Sequence, residues 1–281
     1  MRRTFKTFAL AGIAALAMAV STAIPAQAAP RLNASTYVAL GDSYSSGALL
    51  GGNLDQTCDR SSAAYPVVLA GGTNFVSFKA CSGATIQDTV ALLPTVPQPN
   101  VKVVTLTVGF NDTHWAAAVK ALLSGDPQFV QLLLQTTADI TTTTGPVAQN
   151  IPGLISALRT ANPKATIYWG GYVQQFGAAE ISEDSCTFAY STPDGTAYTT
   201  SISNQLANSL DSIVLLMNGV IQDDVLAARN VGAPITYVDA DVRFTDHRAC
   251  NNPTPAVFNL HPTVAGQLLY AQAFKDAGAG K

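Results

Sequence analysis

The chain has 281 residues, a formal net charge of −3 and 12% charged residues, about half the usual quarter. It contains no basic run, which argues against a nucleic-acid partner, and its surface must draw its polarity from Ser, Thr, Asn and Gln. Four cysteines with no C-x-x-C spacing and three histidines exclude a structural zinc site, and the chain calls for no metal or other cofactor.

Arg2, Arg3 and Lys6 precede an apolar run from Phe8 to Val20 that is too short to span a bilayer, and Ala26 and Ala28 form an A-x-A cleavage site. The pattern predicts a cleaved signal peptide over residues 1–28. It also predicts a secreted mature chain over 29–281, one domain in length, without stable membrane insertion. Arg2-Arg3 leaves both the general and the twin-arginine export routes open. In an oxidising compartment, Cys58, Cys81, Cys186 and Cys250 read as two disulfides.

Thr36–Leu40 is a β-prone run ending at Gly41 and reads as the first strand; Phe75–Lys79 is a weaker second. Val101–Val108, dense in Val and Thr, reads as a strand buried on both faces. Thr166–Tyr172 and Ile235–Val238 are the fourth and fifth. Val147, Ile151, Leu154, Ile155 and Leu158 form one helical stripe that stops before Asn162-Pro163. Leu206, Leu210, Ile213, Val214, Met217 and Ile221 repeat that pattern. A last helix is expected to open at Pro262 and run to about Ala277. The alternation predicts a parallel sheet covered on both faces.

Three long irregular stretches, 47–62, 173–200 and 241–260, leave the carboxyl edge of that sheet, where ligands bind in such folds. In a sheet of order 2-1-3-4-5 the cysteines also sort themselves. Cys58 and Cys81 follow neighbouring strands one and two, and Cys186 and Cys250 follow neighbouring strands four and five. The pairing Cys58–Cys81 and Cys186–Cys250 therefore crosses no sheet.

Four short blocks along this edge carry reactive groups: Gly41-Asp42-Ser43-Tyr44, Cys81-Ser82-Gly83-Ala84, Gly109-Phe110-Asn111-Asp112 and His261-Pro262-Thr263. Ser43 lies at a strand-to-helix turn and is either a nucleophile awaiting a base or an ordinary N-cap. His114, His247 and His261 are the candidate bases. His261 follows the last strand's long loop and is best placed to reach strand one. Gly83 allows a main-chain N–H to approach an oxyanion, or is a plain turn glycine. Asn111 carries an amide that donates to the same oxyanion, or makes an Asx turn.

Ser43, Gly83, Asn111 and His261, in that order, resemble the four namesake positions of the GDSL, or SGNH, hydrolases. The His-Pro-Thr-x-x-Gly-Gln tail is similar to secreted actinomycete lipases and esterases. The resemblance covers nearly all of the mature chain. It implies a three-layer αβα flavodoxin-like fold and a cofactor-free carboxylic ester hydrolase. It further implies Ser43 as nucleophile, His261 as base, and an oxyanion hole of the Ser43 and Gly83 N–H groups and the Asn111 side chain.

One departure stands out. The family's usual aspartate three residues before the histidine is Phe258 here, and no acidic residue lies between Asp246 and His261. The expectation is therefore a Ser43–His261 dyad oriented by the backbone carbonyl of Phe258. A bond from Asp239, Asp241 or Asp246 to the imidazole would replace it with a triad. Leu49, Leu50 and Phe176 are candidate acyl contacts. The expected partner of a monomeric enzyme is a small-molecule or lipid ester. Phospholipase and carbohydrate deacetylase are the alternatives within the family, and a non-catalytic binding protein is the alternative outside it.

Overall fold

A computed structural model describes residues 36–72, 77–95, 100–177, 179, 183–191 and 196–280. The expected signal peptide lies outside these residues, as do residues 75–76 of the expected second strand. In chain order the elements are β1 (Tyr37–Ala39), α1 (Ser43–Ser46), β2 (Asn53–Asp55), β3 (Arg60–Ser61), α2 (Tyr65–Ala70), β4 (Ser77–Phe78) and α3 (Ile86–Leu92). Next come β5 (Val103–Leu106), α4 (Trp115–Ser124), α5 (Phe129–Thr141), α6 (Pro146–Ala161), β6 (Thr166–Gly170), β7 (Ser185–Ser191) and β8 (Ala197–Ser203). The last are α7 (Asn204–Asn230), β9 (Ile235–Val238), β10 (Val257–Phe258), β11 (His261–Pro262) and α8 (Val264–Asp276).

The central sheet runs β4-β1-β5-β6-β9, all parallel. This is the expected 2-1-3-4-5 order. Strands β1, β5, β6 and β9 are near-continuous apolar or Thr-containing runs because both faces of the sheet are covered. Successive residues of β6 and the bend after it show this: a Cβ at Gly170 would meet Phe274 of α8, and one at Gly171 would meet Asn218 of α7. Helices α2 and α8 pack together in one layer, while α3 and α7 flank α6 in the other. Tyr37, Leu40, Leu106 and Trp169 are fully buried between the layers.

Three expectations change. The last helix opens at Val264 rather than Pro262, because His261–Pro262 pairs antiparallel with Val257–Phe258 and Thr263 caps the helix by accepting from the Gly266 N–H. The stretch expected to be irregular after β6 contains an antiparallel hairpin, β7–β8, paired from Ser185↔Ser203 to Ser191↔Ala197. Helices α4 and α5 occupy residues to which no element was assigned. Disulfides join Cys58 to Cys81 and Cys186 to Cys250, each holding a carboxyl-edge loop.

Candidate active site

The turn after β1 is forced by close packing. Gly41 has φ +109, and a Cβ there would lie 2.2 Å from the Thr107 carbonyl oxygen, so only glycine lets β1 leave the sheet beside β5. The Asp42 N–H then donates to that carbonyl at 2.8 Å, extending the ladder beyond the end of β1. Asp42 caps α1 by accepting from the Tyr44 N–H at 3.0 Å. Ser43 is the first residue of α1 and half-buried at the sheet rim.

Asp42 is itself buried. Its carboxylate also accepts from the Thr107 hydroxyl at 3.0 Å and from the Tyr172 hydroxyl. Burial pushes its pKa up to about 7, against the pull of these donors. Because Thr107 Oγ1 gives its proton to Asp42, Ser45 must donate to Thr107 at 2.8 Å and Tyr65 to Ser45 at 2.9 Å. Tyr172 does a second job: its oxygen accepts the Phe110 N–H at 3.2 Å. One buried hydroxyl thus ties the Ser43 turn to the turn bearing Asn111.

Asn111 lies in a short 3₁₀ turn, Phe110–Asp112, after β5. Its Nδ2 donates to the Ala84 carbonyl at 3.0 Å, and Asp112 accepts from the Ile86 N–H at 2.9 Å. These two contacts lock the Gly83 loop against the Asn111 turn. Gly83 has φ +83 and open space where its Cβ would lie. Among the described residues, no acceptor meets the N–H groups of Ser43 or Gly83. The Asn111 amide has a second N–H to offer. A cavity of about 520 Å³ opens on Gly83 and is lined by Cys58, Arg60, Lys79, Ser82 and Leu92. A second one, of about 470 Å³, lies at the opposite edge of the sheet beside Lys102, Lys164 and Tyr168, away from all four blocks.

His261 approaches from the other end of the chain. The ring of Tyr44, next to Ser43, lies 5.7 Å from the imidazole centroid, and its hydroxyl donates to the Leu260 carbonyl at 2.9 Å. Nδ1 of His261 meets the backbone carbonyl of Asn259 at 2.8 Å. This corrects the expected Phe258 carbonyl. Phe258 pairs across from His261 in the β10–β11 ladder, while Asn259 and Leu260 both adopt left-handed backbone, φ +49 and +61, and turn the Asn259 oxygen toward the ring. A carbonyl only accepts, so Nδ1 carries the proton and Nε2 is left as a free base. Burial, the largest influence, holds the imidazole below its ordinary pKa; the Asn259 carbonyl and the Asp59 charge act in the opposite direction.

The remaining candidates fall elsewhere. Asp241 is engaged by the Gln174 N–H and Arg248, and among the described residues no carboxylate bonds to the His261 ring. His114 Nδ1 pairs with Asp139 at 2.7 Å, joining the start of α4 to α5. His247 is exposed. Phe176 is buried edge-on against Phe188 and serves packing, whereas Leu49 is exposed. The residues missed by sequence reasoning are Tyr172 and Asn259. Asn259 carried one usable signal, because asparagine tolerates left-handed backbone better than other non-glycine residues.

Residues 39–269 match the sequence pattern of the GDSL-like lipase/acylhydrolase family. The chain is 28% identical over 264 residues to a lipase of Streptomyces rimosus, covering 89% of each chain. The crystal structure of the extracellular lipase from Streptomyces rimosus aligns with a TM-score of 0.70 at 26% identity, covering 87% of this chain and all of that one. Phospholipase A1 from Streptomyces albidoflavus aligns with a TM-score of 0.64 at 25% identity, covering 86% of this chain and 99% of that one.

Proposed function

Because the chain belongs to the GDSL-like lipase/acylhydrolase family and is a carboxylic ester hydrolase, we propose that it cleaves fatty acyl esters through an acyl-enzyme on Ser43, with His261 as base. The observation that carries this reading is the Asn259 carbonyl on His261 Nδ1, which leaves Nε2 able to take a proton. Ser43 Oγ attacks the acyl carbon as Nε2 removes its proton. The negative charge that develops on the carbonyl oxygen is received by the Ser43 and Gly83 N–H groups and the second Asn111 N–H. The imidazolium then protonates the departing alcohol. A water, deprotonated by Nε2, attacks the acyl carbon, releasing the acid and restoring Ser43.

The imidazolium forms without a carboxylate partner, so the Asn259 carbonyl dipole must orient and stabilise it. Residues 29–281 act as one exported, monomeric domain. Its targeting signal is the basic stretch and apolar run before Ala28, and two disulfides suit an oxidising medium. No helix of the described residues is long and apolar enough to cross a membrane. Similarity to a phospholipase A1 makes phospholipids the second substrate class to test.

Nitrophenyl esters from acetyl to palmitoyl, with phosphatidylcholine and acetylated xylan beside them, separate the substrate classes; fatty acyl esters should turn over fastest. A serine-directed phosphonate should label Ser43 and stop turnover. An unlabelled, active protein would remove Ser43 from the reaction. A protein neither labelled nor active would be the non-catalytic binder.

A further inference from the structure

The left-handed pair that aims the Asn259 carbonyl is a costly backbone. A non-glycine residue in that region costs about 1–2 kcal/mol, and Leu260 has no short polar side chain to compensate. Something outside the turn must hold it. The Tyr44 hydroxyl holds the Leu260 carbonyl, as described. Asn259 is held by its own side chain, from an element 68 residues earlier in the sequence. Its Oδ1 accepts the Ser191 N–H at 2.8 Å. Its Nδ2 donates to the Ser191 carbonyl at 2.9 Å and to the Ser191 hydroxyl at 3.0 Å. Donating and accepting at once fixes the amide plane in both directions.

Ser191 ends β7, and the β7–β8 arm is anchored to the body of the molecule by residues that precede this contact. The Cys186–Cys250 disulfide ties it to the loop after β9. Phe188 packs edge-on against buried Phe176, and Tyr190 stacks on Tyr198 across the ladder. The outer residues of both strands are largely exposed, so the arm adds little to the central core.

We propose that the β7–β8 arm positions the catalytic histidine, with Ser191 as its anchor and the Asn259 side chain as the coupling. The arm is a splint: it fixes the amide, the amide fixes the left-handed turn, and the turn aims the carbonyl that orients His261. Asn259 is thus a positioning residue through both its side chain and its main chain. The proposal rests on the reading of His261 as the base.

The test uses the full mature chain and four variants. Asn259→Gly keeps the left-handed backbone accessible but removes the clamp. Ser191→Pro removes the Ser191 N–H and hydroxyl from the other side, and this N–H points at Asn259 rather than into the hairpin ladder. The double variant and His261→Ala complete the set. Asn259→Gly and Ser191→Pro should each lower kcat roughly ten- to a hundredfold, the scale of a misaimed catalytic group, with KM within about twofold. The double variant should be no worse than the poorer single, because both break one coupling. The downfield proton resonance of His261 Nδ1–H, identified by its loss in His261→Ala, should weaken or move upfield in both single variants.

Unchanged kcat and an unchanged Nδ1–H resonance in either single variant would overturn the proposal, as would a double variant whose losses multiply. Retention of more than a few per cent of kcat by His261→Ala would instead remove the base assignment, and the proposal with it. An inactive His261→Ala beside a fully active Asn259→Gly removes the splint alone. Should Asn259→Gly not fold, Ser191→Pro still decides the question, since it lies outside the site.

Discussion

The turn that carries Ser43 and the loop that carries His261 are held by different kinds of force. Around Ser43 the backbone itself is fixed: β1 lies between two parallel neighbours, Gly41 presses against the Thr107 carbonyl, and the Asp42 N–H continues the ladder. Around His261 only two-residue strands pair, and the turn between them is left-handed at both positions. That loop depends on side chains reaching in from elsewhere, the Tyr44 hydroxyl and the Asn259 amide. A nucleophile must be presented at a fixed point over a sheet edge, and a strand end does this directly. A base that must bring one ring nitrogen to that point is aimed by a loop and then locked from outside.

On the proposed mechanism the two regions act as one catalytic unit, and the largest effects should say so. His261→Ala and Ser43→Ala should each lower kcat by about 10⁴- to 10⁶-fold, and the double variant should be no worse than either single, since neither group works without the other. Steady-state kinetics on a nitrophenyl ester, with circular dichroism to confirm the fold, checks this. Additive losses would mean that the two residues serve separate steps. A smaller loss, on the order of 10²- to 10³-fold in kcat, is expected for Asn111→Ala, which removes one oxyanion donor and the tie to the Ala84 carbonyl. If KM rises instead while kcat holds, Asn111 binds the ground state and is not an oxyanion donor.

The same contrast explains what could be read from the chain. Strands β1, β5, β6 and β9 are continuous apolar or Val/Thr runs because the sheet is covered on both faces, and α6 and α7 carry clean stripes. The reactive blocks follow those strand ends and were legible with them. Hairpin β7–β8 was missed although Cys186, Phe188 and Tyr190 alternate, because its Ser- and Thr-rich sequence reads as loop and most of its faces meet solvent. Helix α5 places Val130 and Leu134 in solvent, which blurs its stripe. The Asn259 carbonyl could not be found by spacing at all: whether the carbonyl of residue 258 or 259 faces the imidazole depends on backbone torsions that a partner 68 residues away helps to set.

Tyr172→Phe probes how far the Ser43 side depends on its buried polar contacts rather than on the ladder. It deletes the hydroxyl shared by Asp42 and the Phe110 N–H, leaving a buried carboxylate one donor short and a buried amide without its acceptor. Urea unfolding should show a loss of about 1–3 kcal/mol, with the protein still folded and active. A loss below about half a kcal/mol would mean that the ladder alone holds the turn.

The gentlest prediction concerns a charge that reaches His261 from the Ser43 side of the site. Asp59 lies beside Cys58, in the loop whose disulfide partner Cys81 opens the Gly83 block, and its field favours the protonated form of His261 against the larger effect of burial. The acid limb of kcat/KM should therefore fall below the ordinary histidine range, since in the free enzyme Nε2 must be unprotonated to accept the Ser43 proton. Asp59→Asn removes the charge but keeps an oxygen for the Leu49 N–H, now bonded at 2.9 Å, and asparagine suits the left-handed backbone at φ +47. With the attraction for the imidazolium gone, the acid limb should move to still lower pH. The alkaline plateau should hold, and the shift should shrink as added salt screens the wild-type charge. A limb that stays in place at low ionic strength would show that the site's pH response is set wholly on the His261 side, by burial and the Asn259 carbonyl; one that moves up would contradict the attraction assigned to Asp59.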